Sequence, residues 1–294
     1  MKKVLVTGGA GYIGRHVVNE LLRRGFLVCV NDLQIDNEDP KIEYSHADIF
    51  SGDPDVYNAL GRPDLLIHMA WEQGFVHDAQ IHMDHLPAHK KFLKDMAEGG
   101  CREIAVMGSM HEVGLFEGAV TADTSCEPRS LYGISKNSLR KSIMAEAIRL
   151  GFSLYWLRGF YIYGDDIRGS SIFAKLMQAA AEGKTVFPFT TGQNRFDFIH
   201  IDELALQIVS VATQGLRGTE KPVTGIINVC SGKPVDLAKK VEDFIIENGL
   251  DIKLQYGAFP DRPYDNNAIW GDDTLIRSIL STDRELCEKT ERNP

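Results

Sequence analysis

The sequence predicts an α/β protein built on a doubly wound parallel sheet, and three observations support this prediction. An apolar strand runs into a glycine-rich turn and an amphipathic helix over residues 4–22. Apolar strands then alternate with helices through the first half of the chain, a pattern that implies right-handed crossovers between parallel strands. Residues 64–70 are almost uninterruptedly apolar, as expected of a strand covered on both faces. The strands are predicted at 27–30, 41–44, 64–70, 103–108 and 152–158, and the helices at 86–98 and 132–150.

The glycine-rich turn has the pattern G-x-x-G-x-x-G, formed by Gly8, Gly11 and Gly14. Gly8 permits a tight exit from the strand, Gly11 permits close approach of a pyrophosphate, and Gly14 lets the helix pack on the strand. The N-terminus of that helix offers unpaired N–H groups to an anion. The turn therefore predicts dinucleotide binding.

An acidic residue, Asp32, ends the second strand about 20 residues after the glycines, the distance typical of a ribose-binding carboxylate. A carboxylate accepts a hydrogen bond from the adenosine ribose 2′-hydroxyl and repels a 2′-phosphate. It therefore favours NAD over NADP. Arg15 is close enough in sequence to bind a 2′-phosphate, which keeps NADP as an alternative.

Length and composition restrict the class of protein. A chain of 294 residues suffices for one large or two modest domains, and 44% hydrophobic with 25% charged residues is typical of globular proteins. The net charge of −9 argues against nucleic acid or an anionic membrane as partner. Five scattered cysteines without a C-x-x-C pair indicate reduced thiols, and no apolar run approaches a membrane span. We therefore expect a cytoplasmic protein.

Three residues at predicted strand and helix ends carry candidate chemistry. Ser109 follows the strand at 103–108, and Tyr132 and Lys136 lie one turn apart on one face of the next helix. A nearby ammonium and the positive nicotinamide ring of an oxidised cofactor would both favour the tyrosine phenolate. Lowering a tyrosine pKa from about 10 to about 7 requires roughly 4 kcal/mol. We expect Tyr132 to act as a general base, with Ser109 bonded to the same substrate oxygen.

With these features together, the chain resembles the extended short-chain dehydrogenases/reductases of the NAD-dependent epimerase/dehydratase kind, which act on nucleotide-diphospho-sugars. The resemblance covers nearly the whole chain. The segments that carry it are Gly8-x-x-Gly11-x-x-Gly14, Asp32, Asp48-Ile49, the Ser109, Tyr132 and Lys136 set, 158–164, 197–200 and Arg262-Pro-Tyr-Asp265.

The resemblance implies NAD as cofactor and a nucleotide-diphospho-sugar as substrate. The implied cofactor-binding residues are Gly8, Gly11, Tyr12, Ile13, Gly14, Asp32, Asp48, Ile49, Met69, Ala70, Trp71, Lys136, Phe160 and Ile162. The implied substrate-binding residues are Met110, His111, Tyr161, Arg195, Arg262 and Asp265. In this family the arginine that corresponds to Arg262 holds the diphosphate of the sugar nucleotide.

The chain departs from the family pattern at several positions. The 4,6-dehydratases place Asp-Glu directly after the strand-end Ser or Thr, where this chain has Met110-His111, so we do not expect dehydratase activity. Phe196 replaces the usual arginine before the Asp197 motif, with Arg195 one place earlier. His85 stands where relatives often carry an asparagine near the cofactor.

A cluster of four histidines invites a metal interpretation, which we do not favour. Its members are His77, His82, His85 and His89. Zinc usually takes three or four ligands at regular spacing with Cys or carboxylate company. Pro87 between the last two histidines indicates a helix start, which spoils their alignment. We expect no metal site.

The domain organisation expected from the sequence has two parts. A Rossmann domain would comprise 1–165 plus about 198–230, and a smaller substrate-binding domain about 166–197 and 231–294. Family members often form homodimers through the helices at 86–98 and 132–150, and we expect a homodimer here. Ile143, Ala147 and Leu150 offer an apolar stripe for that interface, although the same stripe could face the sheet.

The expected activity is NAD-dependent redox at carbon 4 of a nucleotide-diphospho-sugar, with 4-epimerisation as the net reaction. An NAD(P)H-dependent 4-keto-sugar reductase uses the same machinery and is the alternative. A non-enzymatic dinucleotide-binding sensor is a third possibility, but such proteins tend to lose the Tyr/Lys pair that this chain keeps.

The first prediction concerns cofactor choice. The unmodified protein should bind NAD(H) at least about tenfold more tightly than NADP(H), because Asp32 bonds a ribose hydroxyl and repels a phosphate. The substitution Asp32→Ala should reduce that preference. Titration of both dinucleotides measures it, and equal affinities on the unmodified protein would contradict the role of Asp32.

Overall fold

The computed structural model describes residues 2–35, 38–164, 171–260 and 266–292, with side chains as far as residue 286 in the last helix. The first half contains β1 (Lys3–Thr7), α1 (Tyr12–Arg23), β2 (Leu27–Asn31), β3 (Ile42–Ser45), α2 (Val56–Ala59), β4 (Leu65–His68), α3 (Ile81–Asp84), α4 (Leu86–Gly99), β5 (Glu103–Ser109), β6 (Gly118–Val120) and α5 (Leu131–Leu150). A single 3₁₀ turn, Met110–Glu112, follows β5. The second half contains β7 (Ser153–Gly159), β8 (Tyr161–Tyr163), α6 (Ile172–Ala181), β9 (Val186–Pro188), β10 (Arg195–His200), α7 (Ile201–Ala212), β11 (Gly225–Val229), β12 (Pro234–Asp236), α8 (Leu237–Glu247), β13 (Lys253–Gln255), β14 (Ala268–Gly271) and α9 (Thr274–Arg292).

The main sheet is parallel and doubly wound, which confirms the predicted fold class. Its seven strands lie in the order β11-β7-β5-β4-β1-β2-β3. The chain therefore starts in the middle, winds to one edge through β2 and β3, and returns to build the other half. This reversal at β1 creates the crevice in which open α/β sheets bind ligands.

The strand register brings the predicted functional segments to one edge of this sheet. Thr7 at the end of β1 pairs with Asn31 on one side and His68 on the other. At the other half of the sheet, Ser109 pairs with Gly159. Because every strand is parallel, the residues that follow each of these ends leave the sheet on the same side.

The two faces of the sheet are covered by different helices. Alternate residues of β1 separate the two cores: Val4 and Val6 pack with α1 and α7, whereas Leu5 packs with α4 and α5. Ile143 of α5 is fully buried in that second core, and Ala147 and Leu150 pack against it. The stripe considered for a dimer interface therefore faces the sheet, because the helix needs it to cover β5 and β7.

Smaller strands form a second layer beside the carboxyl edge. A sheet in the order β12-β10-β14-β6 is extended by β8, which pairs with β10, and β9 pairs with β13. These strands come from the segments expected to bind substrate as well as from 118–120, 161–163 and 198–200. The proposed two-domain boundaries stay a prediction.

Within the described part of the chain, no helix is both long enough and apolar enough to cross a membrane.

The buried carboxylate of Asp197 joins three parts of this second layer. Its Oδ1 accepts hydrogen bonds from the Ser231 N–H at 2.8 Å and the Ser231 hydroxyl at 2.6 Å. Its Oδ2 accepts from the backbone N–H groups of Gly232 at 2.9 Å and Gly271 at 3.1 Å. The side chain is fully buried. Asp197 therefore holds β10 against β14 and the turn after β11.

The second prediction follows from these four bonds. The substitution Asp197→Ala should lower the free energy of unfolding by about 3 kcal/mol or more, because it leaves several buried donors without an acceptor. Urea unfolding measures this change. Asp236→Ala, at an exposed position of β12, is the matched control and should change stability by less than about 1 kcal/mol. Similar small losses in both variants would contradict the structural role of Asp197.

Candidate active site

Ser109 ends β5 and begins the 3₁₀ turn. The Ser109 hydroxyl oxygen accepts a hydrogen bond from the His111 N–H at 3.3 Å, and the Ser109 N–H donates to Glu112 Oε1 at 2.7 Å. This reciprocal capping box fixes both the backbone and the side chain of the serine. Ser109 is accordingly held in one orientation at the sheet edge.

Tyr132 and Lys136 lie in the first turns of α5, as predicted. Ser130 caps this helix by accepting a hydrogen bond from the Gly133 N–H. The Lys136 ammonium donates to the Met107 carbonyl at 2.8 Å and lies 3.7 Å from the centre of the Trp71 ring. It lies 5.8 Å from the centre of the Tyr132 ring. The structure thus brings Ser109, Tyr132 and Lys136 together across the β5–α5 junction.

The electrostatics of this group differ from the expectation that Lys136 lowers the pKa of Tyr132. Burial raises the pKa of the Tyr132 phenol to about 12; a hydrogen bond with Ser109 opposes this rise, and the negative charge of Glu112 adds to it. Burial lowers the pKa of Lys136 to about 7, against a smaller opposing effect of Glu112. The protein's own groups do not meet this expectation, because burial of each side chain disfavours its charged form.

Four aromatic side chains surround the Tyr132 ring, and the sequence analysis assigned only two of them, Trp71 and His111, to the site. His77 stacks on it at 5.5 Å with an interplanar angle of 13°, and His82 meets it edge-on at 5.3 Å. His111 and Trp71 make further edge contacts at 5.9 and 6.1 Å. His77 also accepts the Tyr132 N–H through its carbonyl at 2.8 Å. The histidine run that invited a metal interpretation is in part an aromatic wall around the tyrosine.

Two further contacts hold the Trp71 ring in place. Its ring stacks on His89 at 4.3 Å with an angle of 16°, and its indole N–H donates to His82 Nδ1 at 3.1 Å. His89 is hydrogen-bonded in turn to His68 at 2.9 Å, and His68 to the Thr7 hydroxyl at 2.7 Å. Burial lowers the pKa of His68 to about 3 and also lowers that of His89. Both histidines are therefore neutral at physiological pH.

The glycine turn has the geometry that a pyrophosphate requires. A Cβ on Gly8 would lie 2.7 Å from the Ala70 nitrogen, and one on Gly14 would overlap the Gly8 carbonyl oxygen. Gly11 is the N-cap of α1 and has no side chain to bond the first N–H groups of that helix. Asp32 Oδ2 accepts a hydrogen bond from the Ala10 N–H at 2.9 Å. The predicted ribose carboxylate thus lies directly beside the predicted phosphate loop, and these residues fit NAD.

The other residues expected around the cofactor also follow strand ends of the main sheet or line the crevice. Asp48 is exposed after β3 and accepts the Phe50 N–H at 2.9 Å, while Ile49 packs on the second core. Met69 and Ala70 follow β4, with the Met69 N–H bonded to the Thr7 carbonyl at 3.0 Å. Tyr12 and Ile13 begin α1, and Phe160 and Ile162 follow β7. Their roles in cofactor binding stay predictions.

A small, partly open cleft lies between the 3₁₀ turn that follows Ser109 and the N-terminal end of α5. Three expected substrate residues, Met110, His111 and Tyr161, line it together. Arg129 and Asn266 also line it, and no motif in the sequence indicated them. Tyr161 is backed by Phe196, whose ring stacks on it at 4.2 Å with an angle of 26°.

Not every predicted substrate residue reaches this cleft. Arg195 is half exposed at the start of β10 and pairs with Asp236 at 3.4 Å, so its expected position near substrate is not observed. The strand alternation directs its neighbour Phe196 to Tyr161 instead. Arg262 and Asp265 lie outside the described residues. His85 caps the start of α4 and pairs with Glu72 at 3.1 Å.

No group of three or more His, Cys, Asp or Glu side chains in the described ranges is arranged to hold a metal ion.

The third prediction uses the depressed pKa of Lys136. Between about pH 7 and 10 the unfolded chain binds a proton at this lysine and the folded protein does not, so stability should rise with pH in this window. The variant Lys136→Met should lack this contribution. Urea unfolding at pH 7 and pH 9.5 should therefore show wild type gaining stability relative to Lys136→Met. Lys90→Met, at an exposed site on α4, is the control; a pH-independent difference for Lys136→Met would refute the buried neutral lysine.

Comparison with known proteins identifies the family. Residues 4–230 match the model of the NAD-dependent epimerase/dehydratase family. The dTDP-6-deoxy-L-talose 4-dehydrogenase (NAD(+)) of Aggregatibacter actinomycetemcomitans is 42% identical over 275 residues, which cover 91% of this chain and 98% of that one.

Solved structures show the same fold. The UDP-N-acetylglucosamine 4-epimerase from Methanobrevibacter ruminantium superposes with a TM-score of 0.81 at 20% identity, covering 97% of this chain and 96% of that one. The UDP-glucose 4-epimerase of Thermus thermophilus, solved in complex with NAD, gives 0.77 at 18% identity, with coverages of 94% and 92%. The expected family, enzyme class and NAD dependence are thereby confirmed: the chain belongs to the NAD-dependent epimerase/dehydratase family.

Proposed function

We propose that this enzyme carries out NAD-dependent redox at carbon 4 of a nucleotide-diphospho-sugar. The observation that carries the proposal is the group of Ser109, Tyr132 and Lys136 at the carboxyl edge that also bears the glycine turn. Strand β5 lies two strands from β1, a lateral separation of about 10 Å. A dinucleotide held by its pyrophosphate at Gly8–Gly14 has its other end available toward Ser109.

In the proposed mechanism the residues of the chain move the proton and fix the reacting oxygen. Tyr132 takes the proton of the sugar 4-hydroxyl as base, and Ser109 Oγ bonds the same oxygen. NAD, when bound, supplies the hydride acceptor, so one proton and one hydride leave carbon 4 and its oxygen together. Lys136 supplies a donor toward the cofactor ribose, and it adds positive charge near the phenol only in its protonated form, because its pKa is lowered to about 7. Burial by Trp71 and His77 keeps water from the reacting atoms.

The phenol needs more positive charge than the protein alone provides. With a pKa of about 12, Tyr132 is protonated at neutral pH. A positive charge near the ring favours the phenolate by electrostatic attraction in this desolvated site. In the proposal, Tyr132 would give up its proton more readily when the positively charged ring of oxidised NAD is bound, and it would return the proton when that ring is reduced and uncharged.

Two net reactions share this half-reaction. Return of the hydride to the other face of the 4-keto sugar gives 4-epimerisation, the outcome expected from Asp32 and a tightly held NAD. Release of the 4-keto sugar gives net 4-dehydrogenation, or 4-keto reduction in reverse. The specific observation that favours this second candidate is the 42% identity to a 4-dehydrogenase over nearly the whole of both chains.

The substrate site proposed here combines the cleft with the signature segment that contains Arg262. Met110, His111 and Tyr161 would contact the sugar, which their common cleft supports. Arg262 would hold the diphosphate, and Asp265 would also bind the substrate. The division into a Rossmann domain and a substrate-binding domain would put this cleft at their boundary.

A homodimer and a cytoplasmic location complete the proposal. Free cysteines at 29, 101, 126 and 230 support a reducing compartment. The outward faces of α4 and α5 are neighbours joined by an Arg149–Glu98 ion pair of 3.5 Å, and Ile148 on α5 is 87% exposed. Light scattering of the purified protein tests this dimer, and a monomer at all concentrations would exclude it.

The fourth prediction tests the proposed chemistry. Tyr132→Phe keeps the ring packed among the histidines, so fold and NAD affinity should be retained. Its turnover should fall by about 100-fold or more, the scale for loss of a positioned acid–base group. The assay is conversion of UDP-, dTDP-, CDP- and GDP-linked hexoses, 6-deoxyhexoses and their 4-keto forms. Net change of NADH indicates a dehydrogenase or reductase, and isomer exchange without it indicates an epimerase.

A control variant sharpens this test. Tyr163→Phe removes the hydroxyl of another tyrosine near the crevice and should leave turnover within about threefold, because Tyr163 packs beside Phe173 and His200 rather than Ser109. If a member of the panel turns over and Tyr132→Phe converts it at the wild-type rate, the proposed mechanism is wrong.

A further inference from the structure

Glu112 is a fully buried carboxylate directly beneath the proposed reacting groups, and no motif in the sequence pointed to it. Its Oε1 accepts the Ser109 N–H at 2.7 Å. The Trp156 indole N–H donates to both carboxylate oxygens, at 2.9 and 3.0 Å. Arg140 Nε lies 3.1 Å and an Arg158 terminal nitrogen 3.9 Å from Oε2. A buried charge is retained only when such partners surround it.

The backbone beside Ser109 is built to admit this carboxylate. A Cβ on Gly108 would lie 2.7 Å from Glu112 Oε1 and would also overlap the Trp156 indole nitrogen. Only glycine at this position of β5 lets the carboxylate approach the strand end so closely. Gly108 and Glu112 therefore form one structural unit with the serine between them.

Arg140 connects that unit to the helix of Tyr132 and Lys136. The three residues follow one another at intervals of four along α5, so they share one face of the helix. Arg140 is buried, and its guanidinium also donates to Asn137 Oδ1 at 2.6 Å. The Glu112–Arg140 ion pair thus joins the turn that carries Ser109 to the helix that carries the other two groups.

We propose that Glu112, through its hydrogen bond to Ser109 and its ion pair with Arg140, is a positioning residue that sets the placement of Ser109 relative to Tyr132 and Lys136. This inference rests on the roles given to those three residues in the proposed function. Arg158 on β7 is the last member of the cluster around Glu112, and its guanidinium donates a hydrogen bond to the Thr121 carbonyl at 3.0 Å. The residues that contact the Glu112 carboxylate do not line the cleft. We therefore expect Glu112 to act on the proposed reacting residues and not on the substrate directly.

The charge of Glu112 also gives the cluster a specific electrostatic effect. It acts on Tyr132 and Lys136 in the same direction, raising the pKa of both groups. The groups that face Glu112 are Ser109, Trp156, Arg140 and Arg158. Those that face the phenol are Ser109, Lys136, His77, His82, His111 and Trp71. Removal of the negative charge should make the phenolate easier to form.

The test compares Glu112→Gln with Glu103→Gln. Glu103 starts the same strand at its opposite end, where its carboxylate accepts the Tyr155 hydroxyl at 2.6 Å and the Ser153 hydroxyl at 3.3 Å. Two readouts are taken. The first is the pH dependence of kcat and KM with a nucleotide sugar that wild type converts. The second is an ultraviolet titration of the phenol in the NAD⁺-saturated protein, with the Tyr132→Phe counterpart of each variant as reference.

In Glu112→Gln we expect kcat to fall about tenfold or more with KM within about twofold. We also expect the phenol titration to move to lower pH. Glu112→Asp keeps the charge, so its phenol should titrate as in wild type and its kcat should exceed that of Glu112→Gln. Glu103→Gln should match wild type in kcat and titration even where its thermal stability falls. If Glu112→Gln does not fold, the charge-balanced double variant Glu112→Gln/Arg140→Gln takes its place.

Two results would overturn the inference: an unchanged kcat and phenol titration in the folded Glu112 variant, or equal changes in Glu103→Gln. A different result identifies failure of the proposed function. If wild type converts no member of the nucleotide-sugar panel, the proposed activity fails, whereas the substrate-free phenol titration still decides whether Glu112 acts on Tyr132.

Discussion

The site depends on how closely three stretches of backbone pack at the start of the chain. The turn after β1 lies against the residues that follow β4, and the first turn of α1 lies against the turn itself. Side chains at Gly8 or Gly14 would push these segments apart by more than the structure can absorb. Because glycine has no side chain at these two positions, the N-terminus of α1, Asp32 and the end of β4 meet at one edge of the sheet. A cofactor can then be bound largely by backbone groups, which need little reorganisation.

A second constraint is the burial of charged side chains near Tyr132, at the other end of the crevice. Lys136, Glu112 and Arg158 are all buried, although isolated charges strongly prefer solvent. Glu112 is compensated by two guanidinium groups, whereas the ammonium of Lys136 lies against a carbonyl and an aromatic ring. The lysine consequently loses its proton easily and the tyrosine keeps its own. Such opposed displacements of two pKa values are typical of acid–base sites.

The aromatic wall around Tyr132 is part of the same buried region. Histidine rings and Trp71 fill the space around the phenol. His68 and His89 extend the packing back to Thr7 beneath the glycine turn. The cofactor end and the proposed proton-transfer end are therefore connected by one continuous set of packed side chains.

The sequence by itself determined the parallel sheet, its helices and the strand ends that bear Gly8, Asp32 and Ser109, because period, glycine spacing and alternation are local properties of the chain. It also determined that Tyr132 and Lys136 share a helix face. Only the tertiary structure decided what surrounds them. Glu112, Arg140 and Trp156 meet through contacts between distant segments, Arg195 turns to Asp236 instead of the cleft, and the stripe at Ile143 faces the sheet. Burial, which depends on all neighbours at once, then set the protonation of the tyrosine and lysine against the expectation from their spacing.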